Sequence, residues 1–119
     1  FYGDELGMDG NSEFTLRGPM PWNTPGHDER AFFKRLTALR RENEALATGS
    51  FRTVYADEKG LMVYRRALPG QRITVALNGR NDTVSVAAHV PSGTPALSDS
   101  FANGSLGAFG YAVFVEKAL

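Results

Sequence analysis

Cysteine is absent from the 119 residues. That excludes disulfide frameworks, cysteine-type zinc sites and thiol nucleophiles, and it leaves the redox compartment open. Charge bias is absent as well: 13 basic residues balance 13 acidic ones. There is no basic stripe for nucleic acid and no acidic solvating arm. No apolar run approaches the roughly 20 residues that span a bilayer, so no membrane partner is expected. Histidine is scarce. His27 falls at a helix entry and His89 on the polar face of an expected strand, and neither has a metal-ligand companion at suitable spacing. A secretory leader is not visible either. The chain opens on Phe1-Tyr2-Gly3-Asp4 without a methionine and reads like the middle of a longer protein, with any targeting information upstream.

Glycine (13) and proline (6) are plentiful and gather before residue 28 and after residue 68. That predicts loops and turns at both ends of the chain, with one helical stretch between them. Residues 1–27 lack periodicity and read as a long loop. Phe14, Met20 and Trp22 would be costly to leave in water, so the loop is expected to be ordered and packed, with Trp22 as an anchor. Residues 28–42 carry Phe32, Leu36 and Leu39 at i, i+4, i+7, with Asp28 or Thr24 at the entry and Arg40 and Arg41 at the exit. This is an amphipathic helix. A second helical turn is expected over Glu42–Ala47, stopped by Gly49.

Beyond Gly49-Ser50 the period becomes two. Strands are expected at Phe51–Ala56, Leu61–Leu68, Arg72–Leu77, Thr83–Val90, Ala96–Ser98 and Gly110–Glu116, with turns at Asp57–Gly60, Pro69-Gly70, Asn78-Gly79 and Asn103–Gly107. The fold class is mainly β, an antiparallel Greek-key sandwich at residues 50–119 preceded by a loop and helix at 1–49. A core this small supplies about 3–5 kcal/mol. The apolar stripe of the helix therefore makes most sense buried against a larger body.

Four segments, in order, carry a resemblance. Phe1-Tyr2-Gly3-Asp4-Glu5-Leu6-Gly7-Met8 resembles "YYGDE-x-G", the end of the eighth barrel strand in the alpha-amylase family (family 13) of glycoside hydrolases. Arg17-Gly18-Pro19-Met20-Pro21-Trp22 resembles the following "R-x-P-M-x-W". Phe32 through Arg40 resembles the eighth barrel helix, and Ala45 through Phe51 the junction into the C-terminal β domain. Leu77-Asn78 and Leu97-Ser98-Asp99 match later landmarks of that domain. Within the family the chain is most similar to the neopullulanase and cyclomaltodextrinase group.

The resemblance implies that residues 1–49 are the tail of a (β/α)8 barrel whose earlier part lies N-terminal to this segment. It implies a parent enzyme that hydrolyses or transfers alpha-glucosidic bonds of maltodextrin-like oligosaccharides by double displacement. The three catalytic carboxylates of the family belong to earlier strands and have no matching position here, so no residue of this chain is expected to be catalytic. In the neopullulanase group the loop reads "D-P-x-x-R-x-P-M", with its aspartate and arginine lining the cleft. Glu13 falls on that aspartate and Arg17 on that arginine, while Phe14 replaces the proline. Glu13 and Arg17 are thus the expected substrate-binding residues, although Arg17 could instead tie the loop to a carboxylate. Cysteine-free, neopullulanase-like character leans toward a cytoplasmic location.

Asp4 and Glu5 are sequence neighbours whose side chains would diverge on extended backbone. That argues for a structural or rim role rather than the facing carboxylates a retaining glycosidase needs. Asp4, Asp9, Asn11 and Glu13 are oxygen ligands close in sequence. The parent could hold calcium, but this spacing lacks an EF-hand pattern, and no cofactor is expected. Tyr55, Tyr64, Phe101, Phe109 and Tyr111 would serve as core and cross-strand pairs, or as a sugar-binding platform. A different class of function stays open: a stand-alone module that binds polysaccharide, docks a protein or self-associates through the helix's apolar stripe.

Overall fold

The computed structural model describes residues 2–23 and 28–118. It divides into two compact units, Phe1–Glu42 and Asn43–Leu119.

The first unit begins with a 3-10 turn, Asp4–Leu6. Gly3 precedes it at φ 91°, and a Cβ there would lie 2.2 Å from the Met8 sulfur, so only glycine lets the chain double back at this point. The Leu6 and Met8 amides both donate to the Gly3 carbonyl, at 2.9 and 3.0 Å. The segment expected to be wholly loop also holds a short helix, α1 (Glu13–Leu16). Ser12 and Thr15 form a reciprocal capping box: the Thr15 amide donates to Ser12 Oγ and the Ser12 amide to Thr15 Oγ1, at 3.2 and 3.0 Å. Threonine takes the place usually held by Glu or Gln, which is why a pattern search passes over it.

Helix α2 (Asp28–Glu42) spans the residues its periodicity predicted, with acidic residues in the first turn and Arg40 and Arg41 in the last. Asp28 is its first helical residue; Thr24 and His27 lie outside the described residues. None of its side chains is fully buried. Phe32, Leu36 and Leu39 are half-buried and Phe33 is exposed. Phe14 and Trp22 are 90% and 80% exposed, which corrects the expectation that Trp22 anchors the loop. The loop is ordered instead by polar contacts, Tyr2 Oη donating to the Gly18 carbonyl at 3.0 Å and the Trp22 amide to the Met20 carbonyl at 3.0 Å. Every fully buried apolar side chain among the described residues belongs to the second unit, so the indole has no core to join.

The second unit starts with α3 (Glu44–Thr48), followed by β1 (Ser50–Ala56), β2 (Leu61–Leu68), β3 (Gln71–Asn78), β4 (Val84–Ser85), β5 (Leu97–Ala102) and β6 (Ser105–Lys117). All pairings are antiparallel. The sheet runs β1-β2-β3-β6-β4, with β5 along the other edge of β6. The mainly β antiparallel architecture is as expected, and its halves are joined through the long β6. Leu61, Val63, Ala76, Ala112 and Phe114 turn to one face and pack with Val86 and Leu106, flanked by Val54, Tyr55, Val90 and Phe101. Ile73, Val75 and Val113 alternate to the opposite face and are buried there. Gln71 shares that second face. Its Oε1 accepts from the Ala45 amide at 2.7 Å and its Nε2 donates to Asn43 Oδ1 at 3.2 Å. These bonds fasten α3 to β3, and the division between units accordingly falls ahead of α3.

Three strands depart from expectation. β5, expected at Ala96–Ser98, runs on to Ala102. Thr83–Val90 alternates like a strand, yet only Val84–Ser85 pairs. The His89 and Val90 amides instead donate to the Val86 carbonyl at 2.9 and 3.2 Å. The chain thus coils into a turn that buries Val86 while leaving Ala87 and Ala88 exposed. Small alanines carry the alternating pattern without supplying area to bury. Conversely, β6 begins at Ser105, through the stretch expected to be a glycine-rich turn. The turn itself is Asn103-Gly104, both left-handed at φ 50° and 74°, as a tight hairpin demands.

Candidate functional site

Glu13 and Arg17 lie at opposite ends of α1, one helical turn apart, and form an i,i+4 ion pair with Arg17 Nη2 at 3.0 Å from Glu13 Oε1. The capping box fixes the start of the helix, so both side chains leave the same face. Together with Phe14, Gly18 and Pro19 they line an open depression of about 570 Å³. The Glu13 and Arg17 side chains are 82% and 64% exposed. In that setting an ion pair stabilises by only about 0–1 kcal/mol. Phe14, the residue that departs from the group's proline, adds a broad apolar wall. Its part in the depression was not legible from the sequence, where only the Ser12-x-x-Thr15 box could have revealed that α1 presents it there.

Asp4 and Glu5 stand on the 3-10 turn, and Glu5 Oε2 accepts from the Gly3 amide at 3.1 Å. Among the described residues no three His, Asp or Glu side chains gather to hold a metal ion. No helix among them is long and apolar enough to cross a membrane.

The aromatic residues of the second unit are dispersed. Tyr55 stacks on His89 with centroids 4.4 Å apart, Tyr64 stacks on Phe51 at 5.2 Å, and Phe101 meets Phe114 edge-on at 5.5 Å. Phe109 is 67% exposed. His89, expected on a strand, sits in the turn after β4.

Polar groups are concentrated at the β1–β2 turn and the end of β3, where they hold loops together. Asn78 is 3% exposed. Its amide nitrogen donates to the carbonyls of Asp82, Leu106 and Gly107 at 2.8, 3.3 and 2.8 Å, and its oxygen accepts from the Arg80 amide at 3.0 Å. Asp57 Oδ1 accepts from the Lys59 and Leu61 amides at 2.9 and 3.1 Å, and its Oδ2 pairs with Arg80. Foremost through the Leu61 amide, and also through the Arg80 charge, these contacts hold the Asp57 carboxyl below its ordinary range. Across the far end of the sheet Arg72 grips Glu116 with two bonds, 2.8 and 2.7 Å. That grip lowers the Glu116 pKa and raises that of Arg72.

No protein-family model matches the chain. It is 39% identical over 80 residues to a cyclomaltodextrinase from Thermoanaerobacter pseudethanolicus, covering 66% of this chain and 14% of that protein. It is 33% identical over 94 residues to neopullulanase 2 from Thermoactinomyces vulgaris, covering 76% and 16% respectively. The chain thus spans about one-seventh of the length of these relatives. Among solved structures, trehalulose synthase from Pseudomonas mesoacidophila MX-45 superimposes with a TM-score of 0.62 at 22% identity, covering 75% of this chain and 18% of that one. Isomaltulose synthase from Erwinia rhapontici NX5 does so with a TM-score of 0.64 at 15% identity, covering 80% and 19%. At such identities the structures speak for the fold alone. The ordered motifs, the antiparallel β unit and the sequence relatives together make this chain, over the stretch it spans, a member of the alpha-amylase family.

Proposed function

We propose that this chain is the cleft-rim and C-terminal β-domain portion of a retaining glycoside hydrolase that acts on alpha-glucosidic bonds of starch- or maltodextrin-like substrates. The observation that carries this is the 39% identity over 80 residues to a cyclomaltodextrinase. The α1 geometry supports a binding role for Glu13 and Arg17. A solvent-exposed pair worth so little can exchange its partner for sugar hydroxyls at small cost, and Phe14 gives the depression an apolar wall against which a sugar ring can lie. Neither residue is assigned to bond cleavage. The chemistry belongs to carboxylates elsewhere in the parent, and the 119 residues alone are expected to be inactive.

The test uses the whole parent enzyme. Arg17→Ala should raise KM for maltotriose about tenfold with kcat little changed, because a substrate contact present in ground and transition states alike is removed. Unchanged kinetics would exclude the rim role. Turnover of a nitrophenyl alpha-glucoside by the purified 119-residue chain would exclude the assignment of chemistry to other segments.

A further inference from the structure

A second concavity lies in the β unit, away from Glu13 and Arg17 in sequence and independent of the role proposed for them. It measures about 310 Å³ and is bounded by the turn after β4 and the β5–β6 hairpin, near the lower end of small-ligand pockets. Val90, Pro91 and Phe101 are half-buried and form its floor, while Ser92 and Asn103 are exposed on its rim. None of the described residues that line it carries a charge. An anion or a cation would find no counter-charge there, and a purely apolar ligand would leave the hydroxyl and amide of the rim unused. The walls are preformed. The Val86 amide donates to the Gly104 carbonyl at 2.8 Å, tying the turn to the hairpin. A Cβ on Gly104 would come within 2.8 Å of the Ala87 methyl, so the two strands of chain meet as closely as glycine permits. Phe101 is held edge-on by Phe114. On the rim, Gly93 is left-handed at φ 119° with open space where a side chain would stand.

We propose that this pocket binds one neutral pyranose ring, with Phe101, Val90 and Pro91 against the apolar face of the sugar and Ser92 Oγ and the Asn103 amide bonded to its hydroxyls. A ring that is apolar on its faces and hydroxylated around its edge matches a floor and rim of these chemistries.

The test is an amide-shift titration of the 15N-labelled 119-residue chain with methyl alpha-D-glucopyranoside. Saturable shifts at Gly93 and Gly104, with a dissociation constant of about 1–10 mM, are expected. Ser92→Trp should fill the concavity from an exposed position and abolish the shifts. Asn103→Gly, which keeps the left-handed turn, should weaken binding several-fold. The Glu13→Ala, Arg17→Ala double variant should bind unchanged, which separates this site from the rim proposed above. Absent or non-saturating shifts, or saturable shifts that survive Ser92→Trp, would overturn the proposal. So would equally strong binding of cyclohexanol, since the rim would then be reading no hydroxyls.

Discussion

Asn78 is a buried polar side chain of the β unit, 3% exposed. Four backbone groups from two stretches of chain converge on one buried amide. Removing it strands three carbonyls, that of Leu106 buried and those of Asp82 and Gly107 partly so, and such groups are costly to leave unpaired. Asn78→Ala should lower unfolding free energy by about 2–3 kcal/mol in urea titrations. A loss within error would mean that water replaces the amide. The paired carboxylates set the acid response. Asp57 and Glu116 have folded pKa values below their unfolded ones, so across that window the unfolded chain binds more protons. Their contribution is complete above the unfolded values and is lost as pH falls through the folded values. Melting temperature should therefore drop below the ordinary carboxylate range, and Arg72→Met should flatten part of that drop by releasing Glu116. An unchanged acid limb in Arg72→Met would show that the pair does not couple to folding. At this scale the sequence was only partly legible. Asn78-Gly79 announced a turn, but not that the Asn78 amide would bind loops as distant as Leu106 and Gly107. The i,i+4 spacing of Glu13 and Arg17 was readable only once α1 was known to be helical.

Among the elements, legibility followed the area available for burial. β2 and α2 came out at their expected bounds because large apolar side chains marked every turn of the pattern. The Thr83–Val90 alternation failed because Ala87 and Ala88 offered too little surface to hold a strand against the pull of a local turn. β6 was longer than expected because Gly104 and Gly107, just ahead of the expected start at Gly110, looked like turn residues. A Cβ on Gly110 would lie 2.9 Å from the Asp99 carbonyl, so that glycine marks close approach of backbones within a sheet, a role its composition does not distinguish from a turn. Gly49 is another such case. It was read as the stop of a helix, and it does follow α3, but at φ −66° its conformation is open to any residue. What requires glycine is space: a Cβ would lie 2.5 Å from the Ala45 carbonyl oxygen and 2.9 Å from that of Ala67. Both obstacles are backbone, held in place by α3 and by β2. Arg66 adds its own grip, donating from Nη2 to the Gly49 carbonyl at 2.8 Å. Gly49→Ala should cost about 1–3 kcal/mol by overpacking and should perturb the amide shifts of Ala45 and Ala67 first. A neutral effect would require α3 to slide on the sheet, which the Gln71 bonds oppose.

For the whole molecule, stability is unevenly distributed between the units. The fully buried apolar side chains among the described residues, from Ala45 to Phe114, all lie within Asn43–Leu119, as do the Asn78 network and both lowered carboxylates. α2 has an apolar stripe but no buried residue, and a 15-residue helix is marginal in water without packing. A fragment comprising residues 43–119 should therefore fold by itself, with dispersed amide resonances and a single cooperative urea transition worth about 3–5 kcal/mol. A peptide of residues 28–42 should show little helix by circular dichroism. The fragment has to begin at Asn43, because starting at Ser50 would remove Ala45 from beneath the sheet and leave Gln71 without Asn43. Residues 50–119 should accordingly unfold at lower urea than residues 43–119. Should the longer fragment bind hydrophobic dye and lose its near-ultraviolet signal, as a molten state does, the core it contains would be insufficient, and the first unit would have to contribute directly to its folding.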